Sequence, residues 1–215
     1  MKSISQNFVV LLLIESLIWL NQSAEARRNV RIALSNTLAI EETLERSSAV
    51  HARKLVHENI WATLATLSVQ FKGVPYGNIV SYSDGEGYSK ENSTGQLFFY
   101  LTPLDAAGIK KIGLKRQLDA SVAISMAQQG EHACDMDVED PTCWKITLTG
   151  KVLPVRDDRI IYAKKVLFSK HPQMQDWPES HNFKPYTLEI ENIILLDFYG
   201  GAKRIPVKKY YQVKL

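Results

Sequence analysis

The sequence predicts an α+β barrel: short, mostly antiparallel strands with few helices, in a single domain. Three observations lead there. Beyond Phe71 the chain breaks into short β-prone runs separated by turn residues. The run after Cys143 alternates cleanly, with Trp144, Ile146 and Leu148 on one face and Lys145, Thr147 and Thr149 on the other, as a strand with one buried face requires. Clear helical periodicity is confined to two segments, one ahead of the strands and one among them.

Residues 1–26 read as a secretory signal peptide. Lys2 gives a positive start, residues 8–14 are an unbroken apolar run, and Ala24-Glu25-Ala26 supplies the small-x-small pattern of a cleavage site. The rival reading is a membrane anchor. A spanning helix needs about 20 predominantly apolar residues, and Glu15 with Ser16 interrupts this stretch. The mature chain is expected to begin near Arg27, with residues 27–40 as a flexible arm lacking periodicity and residues 41–215 as the folded domain. Residues 41–60 read as a helix with Leu44, Ala52, Leu55, Val56 and Ile60 near one face. Glu42 and Glu45 suit its positive end. Residues 61–69 are open between a continued helix and a first strand, because they mix threonines with Trp61.

Strands are expected at 78–82, 97–101, 120–126 and 143–155, with Gly150 marking a bend or bulge. Residues 187–190 and 193–198 give one or two more, ended by Gly200-Gly201. Between them lies the second helix. Asp157 or Asp158 caps it, Ile160, Ile161, Ala163, Val166 and Leu167 form its buried stripe, and Pro172 stops it. Lys170 and His171 in its last turn suit a helix C-terminus. A further short helix is expected between residues 106 and 117.

The formal charge is +3. Loss of one basic and two acidic residues with the leader moves it to +4. Lys and Arg are interspersed with acids rather than gathered into a stripe, which argues against nucleic acid as a partner. Cys134 and Cys143 are the only cysteines. In an exported chain such a pair is expected to close as a disulfide. A loop this short contributes roughly 2.5–3 kcal/mol in the chain-entropy model. Zinc on His132 and the two cysteines lacks a fourth ligand, and the acids between the cysteines lack the Gly and final Glu of a calcium loop; no metal is expected. Asn92-Ser93-Thr94 is an N-glycosylation acceptor in a polar, Gly/Ser-rich stretch.

No nucleophile elbow, phosphate loop or dinucleotide fingerprint is present. The five histidines show no zinc-protease spacing. The stretch 171–181, with two His, two Pro, a Trp and a Met, reads as an aromatic-anchored turn or a pocket wall. Lys110, Lys111, Lys115 and Arg116 follow Thr102, either as a solvated helix face or as a phosphate cradle.

An ordered set of motifs resembles the CREG family of secreted glycoproteins. It comprises residues 61–68, residues 77–85 (Gly-Asn-Ile-Val-Ser-Tyr-Ser-Asp-Gly), Phe99-Tyr100-Leu101-Thr102-Pro103-Leu104, the cysteine pair and Leu148-Thr149-Gly150. His171-Pro172, Trp177-Pro178, Ser180-His181, residues 196–201 and Tyr210-Tyr211 complete it. The resemblance implies a split β-barrel related to flavin-dependent pyridoxamine-phosphate oxidases, with residues 61–69 as a strand. It also implies a homodimer that kept the fold but not the flavin chemistry. Such a protein would be non-enzymatic, glycosylated, and secreted or lysosomal. It would be delivered through the mannose-6-phosphate receptor system and linked to restraint of growth and to differentiation. The alternative is an FMN-dependent oxidoreductase of the same compartment, with Thr102, Lys110, Lys111 and Lys115 holding the flavin phosphate.

Overall fold

The computed structural model describes residues 6–68, 72–103, 118–125, 134 and 137–215. Two compact units divide the chain, Met1–Leu44 and Glu45–Leu215. Helix α1 (Gln6–Glu58) runs through the division. Residues 27–40, expected as an arm without regular structure, are helical. No Gly or Pro occurs before Gly73, so nothing in the chain breaks the hydrogen-bond ladder there. Leu44, expected in the buried stripe, is exposed, whereas Ala52, Leu55 and Val56 are buried as expected. Among the described residues no helix is long and apolar enough to cross a membrane.

The second unit is a closed antiparallel barrel. Its strands are β1 (Trp61–Leu67), β2 (Pro75–Ser83), β3 (Phe98–Leu101), β4 (Leu118–Ser125), β5 (Lys145–Pro154) and β6 (Lys184–Leu196). Neighbours run in the order β3-β2-β1-β4-β5-β6, and a β3–β6 pairing closes the ring. The two-residue β7 (Lys203–Arg204) adds an edge to β6. Residues 61–67 are thus a strand, and the two expected C-terminal strands are one continuous β6.

Alternation places Leu64, Val80, Phe99, Val122, Leu148 and Leu188 in one core, which the end of α1 joins through Ala52, Leu55 and Val56. The expected irregularity at Gly150 is a register shift against β6 between Thr149 and Gly150. A Cβ at Gly150 would lie 1.9 Å from the Glu189 carbonyl oxygen, so the close approach excludes any side chain. The shift changes the phase of β6: Leu188 and Ile190 face the core before it, Ile193 and Leu195 after it.

Helix α2 (Ile160–Lys170) packs on the outer wall of β3. Phe98 meets Val155, Ala163, Val166 and Leu167 there, while the next residue, Phe99, points into the barrel. Ile161, expected in the buried stripe, is 84% exposed. The buried positions Ala163, Val166, Leu167 and Lys170 follow the 3.6-residue period without it. A short 3-10 turn (Asp157–Arg159) leads into α2, and no side chain caps the helix. Asp158, expected as the cap, gives its carboxylate to Arg156 instead. Helix α3 (Val207–Gln212) closes the chain, with Tyr210 buried.

Cys134 and Cys143 form a disulfide just ahead of β5. On the outer wall of β1 and β2 the outward residues are Trp61, Thr63, Ala65 and Leu67, then Pro75, Gly77, Ile79 and Ser81. None is charged, and Ile79 is 63% exposed.

Candidate functional site

The densest polar cluster sits where β2 leaves the barrel. Asp84 follows β2, His57 lies in the last turn of α1, Lys170 ends α2, and Ser93 belongs to the loop carrying Asn92. Side-chain exposures of Asp84 and Lys170 are 0%, and that of His57 is 3%. His57 Nδ1 lies 2.9 Å from Asp84 Oδ1, and Lys170 Nζ donates to the same oxygen at 3.2 Å. Ser93 Oγ donates to Asp84 Oδ2 at 2.6 Å. Lys170 also donates to the His57 carbonyl at 3.0 Å. The second His57 nitrogen, Nε2, faces the Tyr88 carbonyl at 3.2 Å. Both ring nitrogens therefore face oxygen atoms.

Burial alone would raise the Asp84 carboxyl. The His57 hydrogen bond, the Lys170 and His57 charges and the Ser93 hydroxyl outweigh it and hold the group at about 2. His171, next to Lys170, donates from Nε2 to the Tyr82 carbonyl at 2.9 Å. Burial pushes that imidazole below its ordinary value, and the Lys170 charge adds to the push.

The cluster extends into the acceptor loop. Arg53 donates through Nη2 to the Ser93 carbonyl and hydroxyl, and through Nη1 to the carbonyls of Tyr210 and Val213. Thr94 Oγ1 donates to the Asp84 carbonyl at 2.5 Å. Gly85 has no room for a side chain, since a Cβ there would lie 2.0 Å from the Asn92 carbonyl oxygen. Asn92 is exposed, and its amide donates to the Glu86 carbonyl at 3.0 Å. The acceptor asparagine thus faces solvent while the two residues after it are bonded into the fold.

Chemically this is a saturated site. Every oxygen of Asp84 is bonded, the Lys170 ammonium has two acceptors, and none of the three side chains faces solvent. It holds α1, α2, β2 and the acceptor loop together.

Of the flavin-phosphate set, Thr102 alone is among the described residues. Lys110, Lys111 and Lys115 lie outside the described residues, as does the short helix expected at 106–117. Thr102 is buried, and its hydroxyl donates to the His181 carbonyl. The Thr102 hydroxyl thus has an acceptor within the fold. His132 also lies outside the described residues. The stretch 171–181 is an aromatic-anchored turn: Trp177 packs 4.6 Å from Phe183 and 6.0 Å from Tyr100 between ring centroids.

Sequence reasoning missed the Asp84 cluster. Lys170 reads as a helix-terminus cation and His57 as an isolated histidine. The one local signal was an Asp in the β-turn stretch Ser83-Asp84-Gly85, directly after an apolar strand. Its partners His57 and Lys170 are 27 and 86 residues away.

A family described as CREG, beta-barrel, matches residues 43–212. The chain is 36% identical over 168 residues to Protein CREG1 of Gallus gallus, covering 76% of this chain and 84% of that one. It is 36% identical over 171 residues to Protein CREG2 of Homo sapiens, covering 78% of this chain and 57% of that relative's length. Among solved structures, a heme binding protein from Mycobacterium smegmatis superposes with a TM-score of 0.59 at 18% identity, covering 76% of this chain and 60% of that one. A protein of the pyridoxinephosphate oxidase family from Clostridium acetobutylicum, related to general stress protein 26, gives 0.51 at 10% identity, covering 77% and 99%. At such identities the structural matches speak for the fold alone, a split barrel of the pyridoxamine-phosphate oxidase type.

Proposed function

The chain belongs to the CREG family, and from that premise we propose that it is a non-enzymatic glycoprotein of the secretory route, lysosomal or extracellular. It works as a homodimer that engages lumenal or receptor proteins, with a role in growth restraint and differentiation. The leader at residues 1–26 directs export, and Asn92 carries the glycan, through which the mannose-6-phosphate receptor is a candidate partner.

The observation that carries the reading is the contrast at the acceptor loop. Asn92 is exposed, whereas the charged groups behind it are buried and mutually satisfied. Such a surface presents a glycan and not a reactive group. The disulfide supports an oxidising compartment. The uncharged wall of β1 and β2 supports a second copy of the chain as its cover, because depletion of charge with exposed apolar side chains marks the centre of a homodimer interface. The FMN-dependent alternative would draw on Thr102, whose hydroxyl donates to the His181 carbonyl.

The test is expression of the full chain in cells that export proteins. The expected product appears in the medium, begins near Arg27 and shifts in mobility on glycosidase treatment; Asn92→Gln abolishes the shift. Retention inside the cell with residues 1–26 intact, or no glycosidase shift, overturns the reading. Light scattering at micromolar concentration is expected to give twice the chain mass, and a monomer there removes the dimer.

A further inference from the structure

A groove on the outer wall is left over once α2 has covered Phe98 and Val155. It lies between Gln96 before β3, Thr187 of β6, the end of β5 and the turn into α2, and has a volume of about 330 Å³. Pairing places Phe98, Thr187 and Leu153 side by side across β3, β6 and β5. Leu153, Pro154 and Val155 make its floor apolar. Gln96 Nε2 donates to Thr187 Oγ1 at 3.2 Å, and Thr187 Oγ1 donates to the Leu97 carbonyl at 2.9 Å, so the polar side of the floor is held in place.

The rim decides the ligand. Arg156 spends Nε and Nη2 on the two oxygens of Asp158, at 3.1 and 2.7 Å. That pair is neutral as a unit, and Arg156 offsets the Asp158 charge. The Nη1 donors of Arg156 are unused among the described residues. Arg159 lies with its guanidinium carbon 4.7 Å from the centroid of the Tyr162 ring. A cation over a ring uses its face, which leaves the in-plane N–H fork free. No carboxylate among the described residues pairs with Arg159. The groove thus offers an apolar floor, one uncompensated positive charge and a planar fork of donors. A cavity this size is at the small end of ligand sites.

We propose that this groove binds a small organic carboxylate, its apolar body of one or two rings on the Leu153–Val155 floor and its carboxylate on Arg159, with Arg156 alongside. A single uncompensated guanidinium matches one negative charge, and the fork geometry matches a carboxylate. The site shares no residue with the Asp84 cluster or with Thr102, and it stands independently of export or glycosylation.

The test is calorimetric titration of the purified full chain with 2-naphthoate and, in parallel, with the neutral 2-naphthamide. Naphthoate is expected to bind saturably at one site, about tenfold or more tighter than the amide, the scale of one charge-assisted pair. Arg159 is exposed, so Arg159→Gln keeps the fold, which circular dichroism checks. In that variant naphthoate affinity is expected to fall to that of the amide while amide binding is unchanged. Absence of saturation up to millimolar naphthoate, equal affinity for acid and amide, or wild-type naphthoate binding by Arg159→Gln each overturns the proposal.

Discussion

Two aspartates leave two strands of the barrel, and each meets a histidine of α1 and a lysine. Asp84 follows β2 and takes His57 and Lys170. Asp197 follows β6 and takes His51 at 2.9 Å and Lys203 at 2.7 Å. The composition is the same and the setting is not. The first trio is sealed. In the second, the side chains of His51 and Lys203 are 33% and 48% exposed, and the His51 ring stacks on Trp144 with centroids 4.3 Å apart. His51 and His57 stand six residues apart, so one helix end reaches two separate strand ends. What differs is the cost of losing a partner. Removing Asp84 or Lys170 strands a buried charge without water, whereas loss of Asp197, itself buried at 3% side-chain exposure, leaves His51 and Lys203 where solvent reaches them.

The largest expected effect comes from breaking the sealed trio. Asp84→Asn or Lys170→Met leaves unpaired buried charge and is expected to cost roughly 3–5 kcal/mol in denaturant unfolding. A loss below about 1 kcal/mol, the range of exposed pairs, would erase the distinction between the two trios.

Acid titration sharpens the same contrast. Asp84 is held at about 2 in the fold, below its ordinary value of 3.8. Its contribution, about 2 kcal/mol, is therefore fully present above the ordinary value and is lost as pH falls through the folded one. Unfolding free energy measured between pH 5 and 2 should fall across that window, and much less so in Asp84→Asn.

The acceptor loop comes next. Thr94→Ala removes both the glycosylation signal and the hydrogen bond to the Asp84 carbonyl. In unglycosylated protein it is expected to cost about 1 kcal/mol relative to Asn92→Gln, read as a shift in the denaturant midpoint. Equal stability of the two would show that the sequon threonine contributes nothing to the fold. Smallest is Asp197→Asn, expected to cost up to about 1 kcal/mol and to cost less as salt is added, since its partners His51 and Lys203 are partly exposed and screened.

The same contrast marks what the sequence makes legible. Alternation in β5 and the irregularity at Gly150 are local patterns, and neighbouring residues alone reveal both. The strand at residues 61–67 is less legible, because its threonines and Trp61 suit either state; the family motifs decide it. Ile161 is apolar but out of phase with its helix, so hydropathy alone misplaces it. Residues 27–40 lack an amphipathic stripe, yet helix persists because nothing interrupts it. The Asp84 trio is illegible for a different reason. Its members are joined by tertiary structure alone, and Lys170 satisfies a local rule for helix ends while serving a distant carboxylate.

The account's central proposal is that this chain keeps the split barrel without the flavin. The most direct test is the visible spectrum of the purified full chain, followed by titration with FMN. The account predicts no flavin absorbance and no saturable binding at micromolar FMN. A flavin band in the purified protein, or binding in the micromolar range, would contradict it.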